Sequence, residues 1–117
     1  MTACTSQLQH LKGTKQCSEF DLRRADLRGL DFQGANLQAA DMKFANLAGV
    51  NLHDTNLSAA NLQAAYLSQA NLAKANLQKA RLFLTQLENA NLKGSQLEEA
   101  NLSFADLTAA KVSGEQL

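Results

Sequence analysis

From residue 60 onward the chain reads Ala-Asn-Leu-Gln-Ala, Ala-Tyr-Leu-Ser-Gln, Ala-Asn-Leu-Ala-Lys, Ala-Asn-Leu-Gln-Lys, and so on, a five-residue unit in tandem. Taking the Leu as the centre of each unit, centres fall at every fifth residue from Leu22 to Leu117, and seventeen of these twenty positions are Leu, the others being Phe32, Met42 and Val112. Two residues before the centre, thirteen of the twenty are Ala; one residue before it, fourteen are Asp or Asn. An internal repeat of this regularity restricts the architecture before any other feature is considered.

A period of five suits neither regular element. On an α-helix five residues turn about 500°, so successive centres step about 140° round the axis and form no stripe. On a flat strand an odd period sends successive Leu side chains to opposite faces. Either arrangement leaves half of the Leu side chains in water. A chain that turns a corner once per unit keeps every centre on one interior, with the small residue beside it. Asp and Asn suit recurring corners because they tolerate turn geometry and bond nearby backbone. Coils of such segments, stacked about 4.8 Å apart, pair their backbone groups with one another.

Four sides per coil account for the columns. Centres twenty residues apart give Leu22, Met42, Leu62, Leu82, Leu102; then Leu27, Leu47, Leu67, Leu87, Leu107; then Phe32, Leu52, Leu72, Leu92, Val112; then Leu37, Leu57, Leu77, Leu97, Leu117. The last column also aligns Asn36, Asn56, Asn76, Gln96 and Gln116, which fits either an amide ladder or independent corner preferences.

Tandem Ala-Asp/Asn-Leu-x-x over roughly residues 20 to 117 resembles the pentapeptide-repeat family. The lead-in around Lys15-Gln16-Cys17 is similar to that of cyanobacterial members. The resemblance implies an all-β fold, a right-handed quadrilateral parallel β-helix, and the columns give it about five coils. Residues 1–19 are expected to form a short capping α-helix (Thr5 to Lys12, ended by Gly13) and a lead-in, one domain together with the β-helix of residues 20–117. The helix covers the first coil, and Phe20, Leu30 and Phe32 fill the gap beneath it. At the other end Glu115, at a small inward position, is expected to discourage further stacking. The alternative is an open end that pairs with a second copy, and the reading favours the monomer.

Eleven basic residues balance eleven acidic ones, so the chain lacks the charge excess of a nucleic-acid-binding surface and equally that of an acidic mimic of DNA. No apolar run approaches a membrane span, and no charged start followed by an apolar core marks a signal peptide. As written the chain reads as cytoplasmic, with periplasm or thylakoid lumen left open for a trimmed mature form. Cys4 and Cys17 precede the repeats. They read as free thiols, or as a disulfide in an oxidising compartment; no ligand pair accompanies them to make a metal site.

Catalysis finds no support. His10 and His53 have no Ser or Cys nucleophile at a recognisable spacing, no Gly-rich phosphate loop is present, and no cofactor or metal is expected. One wall differs from the rest. Its outward columns read Arg24, Phe44, Ala64, Leu84, Phe104 and Arg23, Lys43, Gln63, Phe83, Ser103. Phe44, Phe83, Leu84 and Phe104, with Arg24 and Lys43 at one end and Tyr66 at a nearby corner, form the candidate protein-interaction wall. The expected function is a non-catalytic scaffold that presents this wall to a protein partner. The alternative comes from the resemblance: some family members mimic duplex DNA and bind gyrase, which calls for an acidic rod.

Overall fold

In the computed structural model, residues 21–113 and 116 are described. Fifteen parallel bridges join residues twenty apart, from Asp21–Asp41 to Asn91–Lys111. Four five-residue sides therefore make one coil, and coils 21–40, 41–60, 61–80 and 81–100 stack below a fifth that begins at 101. The expected capping helix, Phe20, Cys4, Cys17, His10 and Glu115 lie outside the described residues.

The repeat satisfies its own backbone, as residues 46–50 show. Asn46 N–H donates to Ala25 O in the preceding coil (2.9 Å), and Leu47 N–H to Tyr66 O in the following one (2.8 Å). Gly49 N–H also reaches the following coil, at Ser68 O (2.9 Å), while Val50 N–H closes the corner on Leu47 O (3.1 Å). One donor is left, Ala48 N–H, and Asn46 Oδ1 accepts it at 3.2 Å. The Asx residue is thus needed for its side chain, because an unpaired donor at a packed corner costs about as much as a lost hydrogen bond. All fourteen Asp and Asn residues at this position accept from the N–H two residues on. Asn36, Asn56 and Asn76 do so too, so each meets the local corner preference.

The left-handed backbone of each corner belongs to a different residue. Every second residue after a centre, from Arg24 to Ala109, has a positive φ, fourteen of them non-Gly and four Gly. With the i→i+3 bond this is a type II turn. Gly29, Gly34, Gly49 and Gly94 occupy this position because a Cβ is strained there.

The interior follows the columns. Every centre from Leu22 to Leu92 is buried, as are the Ala residues between Ala35 and Ala90 at the small position. Phe32 is a full core residue, and Leu30 packs against the core partly buried. Thr55 and Thr85 stand at small positions without a polar defect: their hydroxyls donate to Phe32 O (2.7 Å) and Leu62 O (2.8 Å) in the preceding coil. Leu97, Leu102, Leu107 and Val112 are only partly buried, since no described coil covers their far side. There Gln116 acts as a tie. Its Nε2 donates to Ser95 O at 2.9 Å and Ser95 Oγ at 2.8 Å, and its Oε1 accepts from Ser113 N–H.

Gln86 stands where an Asx residue would cap Glu88 N–H. Gln86→Asn removes one methylene and brings the carbonyl into the reach that fourteen neighbours use. The expected gain is about 1 kcal/mol, seen as a rise of roughly 4–8 °C in a thermal melt. An unchanged or lower midpoint would show that the capping bond adds no net stability.

Candidate functional site

The face with centres Leu22, Met42, Leu62, Leu82 and Leu102 carries the residues singled out in the sequence. The two positions after each centre lie in the turn, so their side chains project from the rod. Phe44, Leu84 and Phe104 all occupy the left-handed position, with φ of 62°, 60° and 60°. They are exposed, Phe104 to 80%. Lys43 and Phe83, one residue earlier, are half-buried.

Two local contacts organise the face. The Arg24 guanidinium lies over the Phe44 ring, 4.8 Å from its centroid. The Phe83 ring meets that of Phe104 edge-on, centroids 5.7 Å apart at 87°, an arrangement aromatic quadrupoles favour. Phe83 is therefore a buttress for Phe104 more than an outward residue of its own. Ala64 bridges the two clusters along the row, and Tyr66, exposed, stands at the next corner.

The charges on this face fall into two groups. Arg23 grips Asp21 with Nε to Oδ1 at 2.8 Å and Nη2 to Oδ2 at 2.7 Å. That fork holds the Asp21 carboxyl well below the usual carboxylate range. Arg28 does the same to Asp26 on the adjoining face, whose pKa falls to about 2. Lys43 Nζ sits 3.9 Å from Asp41 Oδ2. Arg24 and Arg81, in contrast, form no ion pair with a described residue. Arg81 takes an Asx position and lines a shallow groove of about 480 Å³ with Lys79, Phe83, Glu99, Gln63 and Asn101. Sequence reasoning did not single Arg81 out; its signal was the break in the Asx column.

The other expected site features separate from this face. His53 projects from the opposite one. Its Nδ1 is 2.9 Å from Asp54 Oδ2, but the approach lacks hydrogen-bond alignment, so proximity and not a bond is what the pair shows. Among the described residues no three His, Cys, Asp or Glu converge as a metal site. A second groove, of about 490 Å³, is lined by Gln38, Ser58, Gln78, Lys79, Glu98 and Glu99, a polar surface open to solvent.

A four-sided parallel coil of five-residue units, with small, Asx and Leu residues in fixed roles, defines a β-helical repeat protein. The pentapeptide-repeat model matches residues 16–54, 51–85 and 85–114, with eight copies, and the chain belongs to that family. It is similar to a pentapeptide repeat protein from the Arabidopsis thaliana thylakoid lumen, at 31% identity over 87% of this chain and 72% of that one, TM-score 0.84. It is also similar to one from the cyanobacterium Cyanothece 51142, at 28% identity over 96% of this chain and 97% of that one, TM-score 0.53. No protein with a curated description matches.

Proposed function

We propose that the chain is a non-catalytic interaction module that presents its aromatic-basic face to a protein partner. One observation carries this reading. Large apolar residues occupy the left-handed corner position on this face alone: Phe44, Leu84 and Phe104. On the other three faces that position holds Gly, Ala, Gln, Asn, Asp, Lys or Glu. A non-Gly residue there is strained by roughly 1–2 kcal/mol, and Phe104 gains little burial in return. The strain is common to the corners of all four faces; what sets this face apart is a row of exposed apolar side chains, which often marks an interaction site.

The test is affinity capture from lysate with wild type and with Phe44→Glu/Phe104→Glu, after both show the same melting midpoint. A protein retained by wild type alone is the expected result. Identical captures would overturn the reading.

A DNA-mimicking action on gyrase calls for a continuous acidic face. The most acidic described face, with Asp26, Glu88 and Asp106, is interrupted by Arg28, and each of the others carries at least one Lys or Arg. The right hand of the coil is taken from the family resemblance. A lumenal setting draws support from the similarity to a thylakoid-lumen protein.

A further inference from the structure

We infer that the occupant of this face is an amphipathic α-helix with acidic flanks, an inference that rests on the interaction reading above. Three features of the face select it.

The first is the closed backbone. Inter-coil bonds such as Phe44 N–H to Gln63 O (3.0 Å) and Leu84 N–H to Ser103 O (2.9 Å) leave no free strand edge along this face. An extended segment laid on the apolar row would find no ladder for its own amides, and burying them unpaired is costly. A helix arrives with its backbone bonded internally.

The second is spacing. Phe44, Ala64, Leu84 and Phe104 form one straight row with a step of about 4.8 Å per coil. Apolar residues along a helix stripe recur on average every 3.5 positions, about 5.3 Å of rise. The two repeats stay in step over the four coils of the row, and about three helical turns cover it.

The third is charge. Arg24 and Arg81 have no acidic partner among the described residues, whereas Arg23, Arg28 and Lys43 each sit beside an Asp. The Arg24 guanidinium lies over the Phe44 ring, and it forms no ion pair with a described residue, so its N–H groups can take a carboxylate. Along the rod axis Arg24 and Arg81 are three coils, about 14 Å, apart, with Arg24 in line with the row and Arg81 three residues to one side of it. Acidic residues nine or ten positions apart on a helix span that distance.

The experiment titrates isotopically labelled protein with three synthetic fourteen-residue peptides, followed by NMR. One is a lactam-stabilised helix with a Leu stripe and Glu flanks. The second has Lys in place of Glu. The third is the acidic sequence interrupted by two Pro. The acidic helix is expected to move the signals of Phe44, Leu84, Arg24 and Arg81 saturably, at least tenfold more tightly than either control. Arg24→Glu/Arg81→Glu, both exposed positions, is expected to reverse the preference in favour of the basic helix. Equal binding by the basic or the Pro-interrupted peptide, shifts confined to another face, or no response to the acidic helix would overturn the inference. If lysate capture still depends on Phe44 and Phe104 after such a result, the interaction reading stands and the helical occupant alone fails.

Discussion

Leu67→Asp is expected to remove several kcal/mol of stability and leave no cooperative melt near the wild-type midpoint. Leu67 is fully buried, with Leu47 and Leu87 in the same column one coil away on either side. Its loss forfeits roughly 1.5–3 kcal/mol of apolar burial. The carboxylate then enters an interior whose described polar side chains, Thr55, Thr85 and Ser95, already have partners, and no cation faces it, so several kcal/mol more are lost. Two controls bracket the effect. Leu67→Met keeps the volume, as Met42 does at another centre, and should cost less than about 1.5 kcal/mol. Gln69→Asp, exposed in the same corner, should stay within about 0.5 kcal/mol of wild type. Stability in a stacked coil is a sum of coil and neighbour terms, so the damage is read best by denaturant unfolding with probes on both sides of residue 67. A Leu67→Asp variant that unfolds with wild type would show that the centres do not point inward.

The sequence reveals the interior and hides the corners, for a physical reason. Inward residues are chosen by one strong, uniform demand, exclusion of water, and the twenty centres, seventeen of them Leu, state it repeatedly. Corner geometry is set by single hydrogen bonds of about 1 kcal/mol, which several residue types can supply or forgo. Asp and Asn were expected at the corners because they tolerate turn geometry and bond nearby backbone. In the structure that bond is made by the side-chain oxygen to the N–H two residues on, and the left-handed residue is not the Asx itself but the one three positions later. The clue was present in Gly29, Gly34, Gly49 and Gly94, all two residues after a centre. It was diluted by fourteen non-Gly residues forced into the same conformation. The apolar residues of the candidate face were legible for the same reason as the core: Phe44, Leu84 and Phe104 stand at a corner position that small or polar residues fill on the other faces. The internal pairing of the face was not. Nothing in the spacing distinguishes Phe83 as the buttress of Phe104, or Arg24 as the cation stacked on Phe44, because both depend on rotamers chosen across coils. At the chain's far end the expected charge at Glu115 lies outside the described residues, and a neighbouring amide, Gln116, does the tying.

Two insertions separate the period from the face. One Ala placed after Leu72 is expected to abolish the single cooperative transition. The corner there has no slack: Ala75 N–H bonds Leu72 O (3.0 Å) and Lys74 N–H bonds Lys93 O (3.0 Å). An extra residue breaks that turn, or else moves every later centre out by one place and turns Asn76, Arg81 and Gln86 inward. The first course leaves the corner's backbone groups unpaired, and the second replaces buried Leu with polar groups without partners, at several kcal/mol per coil. Duplicating Ala70–Lys74 after Lys74 adds five residues instead of one. Every later Leu stays inward, each corner keeps its bonds, and the midpoint should remain within a few degrees of wild type. The quarter turn it introduces nevertheless carries Phe83, Leu84 and Phe104 to the next face, away from Arg24 and Phe44. The five-residue variant is therefore expected to fold and to lose the partner that wild type captures. A one-residue insertion with an unchanged melt would refute the register. A five-residue insertion that folds and still captures the partner would show that binding does not need the two halves of the row on one face.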